Sequence, residues 1–156
     1  MIDELYSARI LQLAANLPHS GRLAAPEGTG ERVARLCGSK AIVDVTLDDA
    51  GRVETFAQDV KACALGQAAA GVLGEVVIGA TLEEITAARD AMSAMLKAGG
   101  EGPTGRFEGL RALKQVADYP ARHASTMVAI EATLDAMRQA LARKSPDTRT
   151  SLAGAA

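Results

Sequence analysis

The stretch "DVKACALGQAAAGVLGEV", residues 59–76, joins two hydrophobic patterns that no single element can satisfy. Ahead of it, "KAIVDVTLD" alternates, with Ala41, Val43, Val45 and Leu47 on one side. That two-residue repeat is a half-buried strand. "DDAG" at 48–51 has turn chemistry, with Gly51 near its end, so "RVETFAQDV" folds back as the second strand of a hairpin. A further, weaker strand is expected around "ERVARL". From Cys63 onward alanine, glycine and leucine run on without alternation, and the chain reads as a helix to about Ile78, stopped by Gly79. Strands clustered in one block and helices in the next imply an α+β fold. A small antiparallel sheet of about three strands would be covered by helices on one face.

The flanking segments fit this frame. Residues 2–16 place Ile2, Leu5, Tyr6, Ile10, Leu13 and Leu17 at three- and four-residue steps, a helix ended by Pro18 and Gly21. Residues 18–31 are rich in glycine and proline and read as loop. Thr81 followed by Glu84 forms a capping box for a helix whose face carries Leu82, Ile85, Ala88, Met92 and Leu96, with Gly99 and Gly100 at its end. A short helix is expected near 107–115, and a last one from near Ala121 to about Arg143. Residues 1–142 form one domain, and 143–156 are expected to be a disordered tail.

A chain of 156 residues suits one domain and buries enough surface to need no staple. Net charge is −2 with lysine and arginine scattered, aromatics are 3% and tryptophan is absent. A basic stripe and base-stacking rings are both missing, so nucleic acid is not an expected partner. Asp3 and Glu4 stand where a secretory signal is positive, and no run of about 18 apolar residues occurs. A cytoplasmic protein without membrane contact is expected. Two cysteines in that compartment are free thiols, catalytic groups or ligands sooner than a disulfide.

Cys37 lies in "RLCGSK" just before the first clear strand, and Cys63 lies where the second strand hands over to a helix. The hairpin can return both to one end of the sheet. A helix N-terminus, with free N–H groups and partial positive charge, favours the thiolate that binds metal or attacks sulfur. On pattern alone each cysteine also suits a small packed core position, the commoner place for a free thiol. His123, in "YPARHAST", is either a ring-nitrogen ligand or a surface residue at a helix start. His19 reads as solvated, as do Asp48 and Asp49 in their turn. "GQAAAG" lacks the spacing of a phosphate loop, and neither a Ser-His-Asp order nor HExxH occurs. No enzyme is expected.

The order of these pieces resembles the iron–sulfur cluster assembly scaffolds of the IscU, SufU and NifU N-terminal type, over roughly residues 3–142. "LCGSKAIVDVTLDDAGRVETFAQDVKACALGQAAAGVL" is similar to that family's cysteine–hairpin–cysteine–helix core, and "LKQVADYPARHASTM" to the segment preceding its third cysteine. Family members hold a nascent cluster or zinc on three cysteines and an aspartate, and receive sulfur from a cysteine desulfurase. The resemblance implies that Cys37 and Cys63 are the first two ligands. The aspartate position is occupied by Ser39. Counting from Pro120, the third-cysteine position falls on Ser125, and Arg122 matches the family's basic residue. A one-residue gap instead aligns His123 with the histidine preceding that cysteine, which makes it the candidate third ligand. The implied cargo is transient iron or an iron–sulfur cluster, with zinc as an alternative. Implied partners are the desulfurase, a chaperone and recipient apo-proteins. An adapter that keeps the fold and docks on a desulfurase or chaperone without assembling clusters is the alternative.

Overall fold

The computed structural model describes residues 7–144. Its first element, α1 (Ala8–Ala15), is capped by Ser7, whose hydroxyl accepts the Ile10 N–H, and it buries Ile10 and Leu13. Ile2, Leu5 and Tyr6 of the expected stripe lie outside the described residues.

Strands β1 (Gly28–Ala34), β2 (Ser39–Leu47) and β3 (Val53–Lys61) make one antiparallel sheet in the order β1-β2-β3. The turn at Asp48 is tighter than a merely solvated acid implies, because its carboxylate accepts the N–H groups of Ala50 and Arg52. One face of β2 carries Ala41, Val43, Val45 and Leu47, all buried as the alternation requires. On the other face Asp44 is buried too. It accepts from the Arg22 guanidinium at 2.6 Å, the Thr29 hydroxyl at 2.6 Å and the Leu23 N–H at 3.0 Å. These bonds pin the segment between α1 and β1 onto the second face, so the sheet is covered there by loop as well as by helices on the first.

The expected loop at 18–31 is corrected at its end, since residues 28–31 belong to β1. Gly28 and Gly30 face the last helix, α4 (His123–Lys144). A Cβ on Gly28 would collide with the Ala136 carbonyl oxygen, and one on Gly30 with that of Ala132. Strand and helix touch backbone to backbone here, so the absent side chains mark close packing.

Helix α2 (Ala64–Val76) ends two residues before the expected Ile78. Its small residues serve the same purpose. A Cβ on Gly71 would press on the Leu13 carbonyl, and one on Gly74 on the Gln58 amide. Helix α3 (Leu82–Lys97) forms the capping box between Thr81 and Glu84. The short helix expected near 107–115 is a longer 3-10 stretch, Gly105–Asp118. Its buried residues Phe107, Leu110, Leu113 and Val116 recur every three positions, which a three-residue turn places on one side. A 3-10 turn at Pro120–Arg122 then leads into α4, two residues after the expected start. Helix α4 continues through residues 143 and 144, and the rest of the expected tail lies outside the described residues. Among the described residues no helix is long and apolar enough to cross a membrane.

Candidate functional site

Strand register brings both cysteines to one end of the sheet. Ala34 pairs with Ser39, so the turn carrying Cys37 sits there. Lys40 pairs with Lys61, so β3 ends beside it and Cys63 follows two residues later. β1 runs along α4 in the opposite sense, Gly28 lying near Ala136 and Ala140 and Gly30 near Ala132. The end of β1 therefore meets the start of α4, which supplies Ser125, and the 3-10 turn before it, which supplies Arg122.

Cys37 is exposed on its turn. Gly38 has φ +72° and donates its N–H to the Ala34 carbonyl at 2.8 Å, closing the turn in a conformation glycine adopts without cost. Cys63 is half-buried and is the N-cap of α2. Its backbone is extended, its carbonyl accepts the Gln67 N–H at 2.9 Å, and its thiol makes no capping bond.

Ser39 and Ser125 complete the group, both buried. The Ser39 hydroxyl lies 3.1 Å from the Cys37 sulfur, and the Ser125 hydroxyl 3.5 Å from the Cys63 sulfur. Ser125 donates its hydroxyl proton to the Arg122 carbonyl at 3.1 Å. Both cysteines line one depression, and the Ser125 hydroxyl lies beside the Cys63 sulfur. Gly66 makes this approach possible, since a Cβ there would lie 2.7 Å from both the Ser125 carbonyl oxygen and the Ala62 Cβ. The first turns of α2 and α4 are thus seated on each other.

The surroundings favour a negative sulfur on Cys37. The Ser39 hydroxyl lowers the thiol pKa most, and the Ser39 N–H, the Ser125 hydroxyl and the Arg122 guanidinium add to it. Partial burial opposes them without prevailing. An open depression connects the two thiols and is lined also by Ser39, Lys61, Ala62 and Gln67. Lys61 and Gln67 carry no motif in the sequence and become visible only through the register. Gly66 had a signal, standing one helical turn after Cys63 on the same side.

His123 is placed elsewhere. Its Nε2 lies 3.0 Å from the Val116 carbonyl oxygen and 3.2 Å from that of Ala117, where it caps the 3-10 stretch as a donor. It lines a separate groove between α3 and α4 with Arg89, Pro120 and Glu131. Among the described residues no three histidine, cysteine, aspartate or glutamate side chains converge as a metal site. His19 is exposed as expected but not merely solvated. It has φ +58°, its carbonyl accepts the Gln58 N–H, and its ring meets Phe56 edge-on at 6.0 Å.

Sheet, helices and paired thiols define a small α+β protein with a dithiol seated where a β-turn, a helix N-cap and the start of a long helix meet. The chain belongs to the NifU-like N terminal domain family, whose pattern it matches over residues 5–126. Proteins of that family are non-catalytic scaffolds. Its fold is similar to the crystal structure of a nitrogen-fixing NifU-like protein (N-terminal) from Brucella abortus, at 46% identity and TM-score 0.86, over 90% of this chain and 96% of that one. A second likeness, at 20% identity and TM-score 0.77, concerns the fold alone. It is to a putative iron–sulfur cluster assembly scaffold protein for the SUF system from Fervidobacterium islandicum, over 85% of this chain and 96% of that one. No curated protein matches the sequence closely.

Proposed function

We propose that this chain is a scaffold or carrier in iron–sulfur cluster assembly, receiving iron, sulfur or a nascent cluster on Cys37 and Cys63 and passing it on. The observation that carries the reading is the opening of both thiols into one depression. Two thiols from distant segments, set in an open depression beside donors that favour thiolate, suit a soft cargo.

The donor set fits such a cargo in part. Two sulfurs are soft ligands, whereas the hydroxyls of Ser39 and Ser125 are poor ones for soft metals beside thiolate. A closed zinc site needs four protein ligands, so a structural zinc role is not supported. His123, engaged with backbone carbonyls, is left out of the proposed set. The remaining positions would be filled by the cargo's own sulfide, by water or by a partner's side chain. Loose holding suits a protein that must give its cargo up. A cysteine desulfurase as sulfur source and an apo-protein as recipient follow from the family, with a chaperone as a further partner.

Anaerobic reconstitution with iron and sulfide, followed by metal analysis and visible absorption, tests this. Wild type is expected to load iron that a Cys37→Ser, Cys63→Ser double variant does not. Equal loading by both would overturn the reading.

One observation favours a second reading. Serine at 39 and 125 leaves two soft donors, which suits an adapter that docks on a desulfurase or chaperone without assembling clusters. The adapter predicts that the double variant still binds the desulfurase in a pull-down, and loss of that binding would count against it.

A further inference from the structure

The geometry points to a redox role for the thiol pair: Cys37 takes up a sulfane sulfur from a persulfide, and Cys63 expels it as hydrosulfide by closing a Cys37–Cys63 disulfide. This rests on the reading above, that the pair handles sulfur cargo, and assigns each thiol its part.

The two sulfurs are neighbours but unequal. Cys37 is exposed on a turn whose open side is unfilled, nothing lying within 4 Å of a Cβ built on Gly38. A bulky persulfide reaches it first. Cys63 is half-buried at the helix start, shielded from a large donor yet facing the same depression. Its thiol is not consumed by helix capping. The Ser125 hydroxyl lies 3.5 Å from the Cys63 sulfur and donates to the Arg122 carbonyl, so it is placed to accept a hydrogen bond from the Cys63 thiol.

The steps balance. In the first, the Cys37 sulfur attacks the outer sulfur of a persulfide R–S–SH. The donor's S–S bond breaks, R–SH departs, and Cys37–S–SH remains with no net oxidation. In the second, the Cys63 sulfur attacks the Cys37 sulfur itself. The Cys37–Cys63 bond forms, the outer S–S bond breaks, and the outer sulfur leaves as HS⁻ into the open depression. The two thiols supply the two electrons that reduce sulfane sulfur to sulfide, and the disulfide is the oxidised product. An external thiol reopens it by exchange. The chain would thus produce sulfide, the oxidation state a cluster contains, with its own dithiol as reductant.

The test uses the whole chain, pulsed anaerobically with glutathione persulfide and desalted. Released hydrosulfide is followed in time, and Cys37 and Cys63 peptides are mapped by mass spectrometry. Wild type is expected to release one hydrosulfide per chain and to acquire an internal Cys37–Cys63 disulfide. Cys63→Ser should retain the persulfide on Cys37 and release sulfide about tenfold more slowly or less. Circular dichroism confirms that the variant is folded. Persulfide kept by wild type as long as by Cys63→Ser, or sulfide released without the disulfide, would overturn the inference. Iron loading measured without persulfide separates the two readings. Loading without disulfide closure leaves the scaffold standing and removes the sulfane chemistry. Disulfide closure without loading does the reverse.

Discussion

Cys63 and Ser125 hold their side chains 3.5 Å apart across 62 positions of sequence. One is a helix N-cap and the other lies in the first turn of a different helix, so the contact exists only when α2 and α4 are docked. Ser125 stands where the family resemblance puts a third cysteine. The structure places its hydroxyl beside the Cys63 thiol.

Restoring that ligand should change the chemistry of the site. Ser125→Cys sets a third thiol next to Cys63, which shares a depression with Cys37. Zinc affinity, measured by competition with a chromophoric chelator, should rise by about tenfold or more, equivalent to about 1.4 kcal/mol. An unchanged affinity would mean that the position does not face the cargo.

Ser39 should govern the reactivity of Cys37. Its hydroxyl and N–H favour the thiolate, so Cys37 titrates below an ordinary cysteine. Followed by iodoacetamide labelling against pH, the Cys37 midpoint should lie below the usual value of about 8.5. Ser39→Ala should move it upward and slow labelling at neutral pH, with the fold intact by circular dichroism. A midpoint that stays put would remove Ser39 from this role.

Gly66→Ala should damage the site without touching it. Alanine gains about 1 kcal/mol of helix propensity. Overpacking against the Ser125 carbonyl costs about 1–3 kcal/mol. The net effect is a loss of up to about 2 kcal/mol, or a melting temperature lower by up to roughly 8 °C. Differential alkylation should show Cys63 more accessible once the two helix starts are forced apart.

Asp44 should contribute a pH-dependent part of the stability. Burial raises its pKa, and the Arg22 guanidinium, Thr29 hydroxyl and Leu23 N–H together outweigh that and hold it below the usual carboxylate value. The unfolded chain therefore binds more protons at this group in the acid range, and stability rises with pH there. The contribution is complete above about pH 5 and is lost as pH falls below the ordinary carboxylate value near 4. Arg22 is 48% exposed while Asp44 is fully buried, so the ion pair itself is worth little and the unpaired donors matter more. Asp44→Asn should cost about 1–3 kcal/mol at neutral pH in urea unfolding, and the gap to wild type should narrow on acidification.

Much of this molecule is written in local patterns. Alternation at Ala41 to Leu47 marks β2, and the Thr81–Glu84 pair marks the start of α3, because both depend on neighbours in sequence. The convergence of Cys37 and Cys63 follows from hairpin geometry together with the family resemblance. What stayed hidden depends on contacts between distant segments. Gly28 and Gly30 look like loop, since nothing nearby in sequence shows that a helix backbone will occupy their side-chain space. His123 looks like a ligand until the 3-10 stretch supplies two carbonyls for its ring. The three-residue spacing of Phe107 to Val116 is present in the sequence and specifies the 3-10 form of the short helix expected there.

The bare contact of Gly28 and Gly30 with α4 also bears on how variants of this protein would be read in a genetic screen. That contact sets how far α4 lies from the sheet, and Ser125 rides at the helix's other end. A methyl group added at either glycine would displace the start of α4 around Ser125 in a chain whose every thiol and hydroxyl is intact. The lesion and the phenotype would sit at opposite ends of one helix, joined only by its stiffness.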